Sequence, residues 1–181
     1  SIMILIFDFG SQYTQLIARK IRQLQVKSEI VPYNHPVSGI SVGELDGIIL
    51  SGGPASTYTK NAPRLNVKLL KQGAPVLGIC YGMQAMATQL GGRVAASEHR
   101  EFGYAEVTPT DSTLLAGLDD GDAGEPMLKV WMSHGDRVEA ISDGFVVAGV
   151  SANSPLAAME DRERHYYGVQ FHPEVTHTIQ G

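Results

Sequence analysis

The stretch Pro75-Val76-Leu77-Gly78-Ile79-Cys80-Tyr81-Gly82-Met83-Gln84 runs an apolar strand pattern into a helical one through a cysteine with a glycine two residues to either side. Residues 75–79 are short and apolar, as a strand buried on both faces of a parallel sheet is. From about Tyr81 to Leu90 the sequence reads as a helix. Such a G-x-C-x-G turn is the cysteine counterpart of the G-x-S-x-G nucleophile elbow, where a sharp strand-to-helix turn exposes the nucleophile and the glycines relieve crowding.

The same alternation recurs along the first half of the chain. Residues 2–7 form an unbroken apolar run that ends at Asp8 and predicts a buried strand. Tyr13, Leu16, Ile17, Ile21 and Leu24 then fall at helical spacing, with Arg19, Lys20 and Arg22 on other faces and Ser11 placed to cap the helix. Residues 29–33 and 47–50 read as further strands and residues 62–72 as a helix. Strand and helix in turn predict an α/β fold: a mostly parallel, open twisted sheet with helices on both faces, of the flavodoxin-like kind. After Gly91 and Gly92, β-like runs at residues 103–108, 129–132, 145–150 and 166–171 add a small antiparallel section. Residues 119–126 (DDGDAGEP) are acidic and glycine-rich, and suit a surface loop.

The 181 residues fit one domain, 1–181. Hydrophobic residues at 43% and charged residues at 18% describe a soluble globular protein. A net charge of -5, with 14 Lys and Arg scattered along the chain, offers no basic stripe, so nucleic acid is not an expected partner. No secretion signal is visible at the start, and no apolar stretch reaches the roughly 18 residues of a membrane helix, so no membrane is expected either. One cysteine excludes an internal disulfide. The expected compartment is the cytoplasm. The chain ends at Gly181 soon after its last predicted strand, without a closing helix, which reads as a domain excised from a longer protein.

Cys80 at a strand end is either a small apolar filler or a nucleophile. A nucleophile must be a thiolate, and free cysteine is mostly protonated at neutral pH. A helix N-terminus contributes about 0.3 to 1 kcal/mol, less than the roughly 1.4 kcal/mol in one pKa unit, so a histidine partner is required. Of His35, His99, His134, His165, His172 and His177, two have suitable settings. His172 precedes Pro173 and Glu174 at a predicted strand end, and a carboxylate two residues along an extended chain lies on the same side. His134, in Ser133-His134-Gly135-Asp136, also has a carboxylate two residues on. Spacing does not choose between them. Ser51-Gly52-Gly53-Pro54 follows a predicted strand and supplies backbone N–H groups at the carboxyl edge of the sheet, where open α/β folds bind ligands. The longer SGGPAS is similar to the phosphate loop S-G-G-x-D-S of ATP pyrophosphatases, but Ala55 stands where the aspartate belongs and Pro54 removes a donor. His172 and His177 lack the i, i+4 spacing of a zinc helix, and no metal is expected.

Taken together, GICYGMQ, SGGP and VQFHPE resemble the class I glutamine amidotransferases, in this order and across essentially the whole chain. FDFGSQYTQLIARKIR, REFGYAEV, VWMSHGDRV and GVQFHPEVTHT narrow the resemblance to an amidotransferase domain that feeds a nucleotide synthetase. The resemblance implies a catalytic triad of Cys80, His172 and Glu174, an oxyanion hole from the amides of Gly53 and Tyr81, and glutamine binding by Gly52, Gln84, Ser133, Gly135 and Asp136. His134 then belongs to substrate binding or domain contact. It further implies no cofactor in this domain, an ATP pyrophosphatase partner domain, absent here, that uses ATP and Mg²⁺, a homodimeric full-length protein, and weak activity of the isolated domain. Rival readings are a non-catalytic module on the same fold and another cysteine hydrolase.

Overall fold

The computed structural model describes residues 3–36, 45–57, 60–110, 112–116, 127–175 and 181, with the backbone alone for residues 98–101. The first half alternates as the sequence predicts: β1 (Met3–Asp8), α1 (Thr14–Gln23), β2 (Lys27–Pro32), β3 (Gly47–Leu50), β4 (Val76–Ile79) and α2 (Tyr81–Gln89). β5 (Arg93–Pro109), β6 (Leu128–Ala140), β7 (Val146–Val150), β8 (Ala158–Asp161) and β9 (Tyr166–Val169) follow.

Among the described residues the strands form one sheet in the order β2-β1-β3-β4-β9-β8-β7-β5-β6. The ladders from β2 through β9 are parallel and those from β9 to β6 antiparallel. The α/β class holds, while the antiparallel section is wider than the sequence suggests. Two missed features account for that. β8, Ala158-Met159-Glu160-Asp161, is buried throughout, yet its acidic pair reads as surface. β6 continues through Ser133-His134-Gly135-Asp136, a polar stretch without β-branched residues that lies beyond the run expected at residues 129–132. Its backbone is carried by the partner strand, with Glu101 opposite His134 and Phe102 opposite Ser133.

Side-chain alternation divides the core between the two sheet faces. Leu5 and Phe7 of β1 pack with Ile48 and Leu50 of β3 and with Tyr81, Met83 and Met86 of α2. Ile6, between them, packs on the other face with Ile17 and Ala18 of α1. Helices thus cover both faces. α1 ends with Lys20 and Arg22 in its last turn, where cations complement the helix dipole. Ser11 is not its N-cap: the hydroxyl accepts from the N–H of Tyr13, one residue outside the helix. Leu24, counted with the apolar stripe, falls at the C-cap and is 75% exposed.

The helix expected over residues 62–72 is a single 3-10 segment, Val67–Gln72. Asn66 is extended and its side chain accepts from the N–H of Lys68, so the helix starts there and not at Ala62. The acidic segment at residues 119–126 and His177 lie outside the described residues. No helix among the described residues is long and apolar enough to cross a membrane.

Candidate active site

The parallel half of the sheet ends its strands along one edge, and the site is assembled from the segments that leave it. β4 ends at Ile79, and Cys80 turns the chain into α2 with φ 52° and ψ -109°, a left-handed conformation that costs free energy for a non-glycine residue. Its neighbours make the turn possible. A Cβ on Gly78 would stand 2.7 Å from the carbonyl carbon of Gly82 and the amide nitrogen of Met83, and one on Gly82 2.3 Å from the carbonyl oxygen of Leu50. Only glycines let β4, α2 and β3 approach so closely. The Cys80 N–H is tied to the carbonyl of Val169, which fixes the elbow to β9.

β9 delivers the histidine. Beyond Val169 the chain passes Gln170 and Phe171 to His172, whose N–H donates to the carbonyl of Trp131 on β6. Nδ1 of His172 lies 2.6 Å from Oε1 of Glu174, with both side chains buried. The two residues reach each other across a tight turn, closed by the Val175 N–H on the His172 carbonyl, instead of along an extended chain. Burial presses the pKa of the imidazolium down. The interactions with Cys80 and Glu174 outweigh that and lift it from 6.5 to about 10. Tyr13 closes the other side, its ring edge-on to His172 with centroids 5.1 Å apart.

His134, the other candidate base, is also buried, but its Nδ1 meets the backbone carbonyl of Asp136 at 2.7 Å, not the carboxylate that the spacing offered. The carboxylate-held ring beside Cys80 is that of His172.

The loop after β3 lies directly on this pair. A Cβ on Gly52 would meet Cε1 of His172 at 3.1 Å and Cβ of Cys80 at 3.4 Å, while one on Gly53 would stand 2.2 Å from the carbonyl oxygen of Phe9. Ser51 has its hydroxyl engaged internally, accepting from the Phe9 N–H and donating to the Gly52 carbonyl. The loop is packed as a backbone surface and not as a phosphate cradle. Tyr81 sends its ring into the core and its hydroxyl to the carbonyl of Pro63. Its N–H belongs to the first turn of α2, whose amides have no partner within the helix.

These segments surround a cavity of about 620 Å³ lined by Gly53, Cys80, Gln84, Ser133, Gly135, Asp136 and His172, together with Gly10, Ser11, Gln12, Tyr13, Ala96 and Phe102. Glu174 sits behind His172. Gln84 is anchored by its Nε2, which donates to the Asp136 carbonyl and to Oε1 of Gln170. Two residues at the site do not stand out in the sequence: Tyr13, which falls in the apolar stripe leading into α1, and Gln170, whose side chain touches Sγ of Cys80. Both lie inside quoted motifs, and the position of Gln170 two residues before His172 was the available pointer. Among the described residues no three His, Cys, Asp or Glu side chains are grouped to hold a metal ion. A strained thiol, a carboxylate-bound imidazole, helix-start and loop amides and a cavity suited to a small polar molecule together form an arrangement for acyl transfer.

The family model for Glutamine amidotransferase class-I matches residues 5–181. The chain is 53% identical over 180 residues to "GMP synthase [glutamine-hydrolyzing]" of Actinobacillus succinogenes, and 55% identical over 181 residues to the protein of that name from Nitrosococcus oceani. Each alignment covers 98% of this chain but 34% of the relative, so the chain spans about a third of their length. Among solved structures, one described as a GMP synthase subunit from Thermoplasma acidophilum superposes with a TM-score of 0.80 at 31% identity, covering 98% of this chain and 87% of that one. A glutamine amidotransferase from Thermotoga maritima shares the fold, with a TM-score of 0.76 at 20% identity over 96% of this chain and 76% of that one.

Proposed function

The chain belongs to the class I glutamine amidotransferase family, and on that footing we propose that it hydrolyses glutamine to glutamate and ammonia through a thioester on Cys80. The observation that carries the reading is the buried thiol on a strained elbow beside His172, itself held by Glu174 at 2.6 Å.

In this mechanism the Cys80 thiolate attacks the side-chain carbonyl carbon of glutamine. The resulting oxyanion accepts from the N–H groups of Gly53 and Tyr81, donors of a kind worth about a hundredfold to a thousandfold each. His172, as imidazolium, gives its proton to the departing nitrogen, so the carbon–nitrogen bond breaks and ammonia leaves a γ-glutamyl thioester. The now neutral His172 takes a proton from water. The hydroxide adds to the thioester, the carbon–sulfur bond breaks, and glutamate and the thiolate–imidazolium pair are restored. Glu174 keeps Nε2 of the ring turned to the sulfur by binding Nδ1. Gly52, Gln84, Ser133, Gly135 and Asp136 hold the glutamine, and the chemistry calls for no cofactor in this chain.

The names of the relatives support a destination for the ammonia. It passes to an ATP pyrophosphatase (synthetase) domain, in the same or a partner chain, that uses ATP and Mg²⁺ to convert XMP to GMP. The full-length protein is a cytoplasmic homodimer. Glutamate and ammonia release should be measured for this chain alone and with the synthetase domain supplied. Turnover that disappears in Cys80→Ser supports the reading. No turnover of glutamine in either format, or faster cleavage of a γ-glutamyl peptide than of glutamine, would contradict it.

A further inference from the structure

Gln170 lies between β9 and His172 and is fully buried. Its backbone N–H donates to the Ala157 carbonyl. The amide Nε2 stands 3.5 Å from Sγ of Cys80, and its Oε1 accepts at 3.2 Å from Nε2 of Gln84, the side chain that also donates to the Asp136 carbonyl. The second bond settles which end of the Gln170 amide faces the sulfur. With Oε1 turned to a donor, the NH₂ group is presented to Cys80.

The sulfur has a competing contact of the opposite sense. Sγ also faces the carbonyl oxygen of Ser133 at 3.6 Å, an acceptor that only the protonated thiol can serve. A donor at 3.5 Å favours the thiolate, which accepts from it, and a buried donor of this kind is costly to leave unmatched. The balance of these two contacts bears on the protonation state of the nucleophile apart from His172.

We propose that Gln170 is a catalytic residue of this site, its side-chain N–H stabilising the Cys80 thiolate, with Gln84 acting as the positioning residue that holds the amide in that orientation. The inference rests on the reading of Cys80 as nucleophile, and does not depend on glutamine being the substrate. It assigns to the buried glutamine of VQFHPE a direct contact with the reacting atom, where a core-filling role would need only its volume.

Cys80 is the only cysteine in the chain, so alkylation by iodoacetamide reports a single thiol. Its rate as a function of pH follows the thiolate fraction. The titratable side chains around the sulfur are His172 with Glu174 behind it, His134 and Asp136 on β6, and Tyr13, all retained in the variants. Q170M keeps the length and apolar stem and removes the donor. Its alkylation profile should move to higher pH, giving a rate up to roughly tenfold lower than the parent's on the acid side of the profile and converging with it at high pH. Q84M, in which Gln170 remains but is no longer oriented, should shift in the same direction by less, and carries the test if Q170M fails to fold by circular dichroism. Profiles that superimpose on the parent's, or rates reduced by one factor at every pH, overturn the proposal. A parent whose Cys80 alkylates as an ordinary thiol overturns it together with the nucleophile reading. Chains that alkylate as expected yet turn over no glutamine refute the substrate and leave the role of Gln170 supported.

Discussion

Nδ1 of His172 and Oε1 of Glu174 are 2.6 Å apart, and both side chains are withdrawn from solvent at the end of the strand that lies beside Cys80. Removing the charge of the carboxylate while keeping its shape, in Glu174→Gln, takes away one of the two interactions that hold the imidazolium pKa near 10. The pKa should fall toward 6.5, as a titration of the His172 ring by NMR would report. Because the folded-state value is raised, the pair's contribution to stability is fully present below about pH 6.5 and is lost as the pH climbs through about 10. Glu174→Gln should therefore flatten the alkaline side of the stability profile. It should also lower kcat for glutamine hydrolysis with little change in KM. His172→Ala should lose at least about a hundredfold, the lower end of what positioned acid–base transfer contributes. A His172→Ala rate within about fivefold of the parent contradicts this assignment.

Gly52 is close to both reacting side chains, and a methyl group there would press on Cε1 of His172 at 3.1 Å. No positive φ constrains this glycine, so Gly52→Ala should fold with near-normal stability. Displacing the imidazole from the sulfur should nevertheless cost roughly tenfold or more in kcat/KM. Steady-state kinetics beside a thermal melt would separate the two. Equal kinetics would mean that the loop yields freely.

Glu160 is fully buried in β8 and accepts from the N–H groups of Thr113 and Leu114, from the hydroxyls of Ser112 and Thr113, and from Arg162. Burial would raise its pKa, but these donors outweigh it and lower the value from 4.5 to about 2. The stability is present above about pH 4.5 and lost as the pH falls toward 2. At 1.36 kcal/mol per unit this carboxylate contributes about 3 kcal/mol at neutral pH. Urea unfolding of Glu160→Gln should show a loss of that order at neutral pH that narrows in acid.

The elements legible in the sequence are those whose information is local. Gly78 and Gly82 mark the elbow because backbone crowding leaves no room for a side chain, and residues 2–7 and 47–50 declare buried strands by being apolar on both faces. What was not legible depends on partners distant along the chain. Glu160 looks like a surface residue until the residue 112–114 loop, far earlier in the chain, supplies most of its donors. Ser133-His134-Gly135-Asp136 becomes strand only because β5 lies opposite it. Spacing alone could not separate His134 from His172, because the thiol that one of them serves is distant along the chain; the motif resemblance named His172, and in the fold only His172 turns its ring to the carboxylate two residues on. Gln170 was hidden for the same reason: its significance is a sulfur ninety positions earlier.

An electrophilic glutamine analogue tests the role of Cys80 as a glutamine-directed nucleophile. The chain, with and without the synthetase domain, is incubated with the analogue in the presence and absence of excess glutamine, and the adduct is mapped by mass spectrometry. That role predicts a covalent adduct on Cys80 that glutamine suppresses and that Glu174→Gln slows. An unmodified Cys80, under conditions in which an authentic amidotransferase is labelled, or an adduct that forms equally fast in excess glutamine, would contradict it.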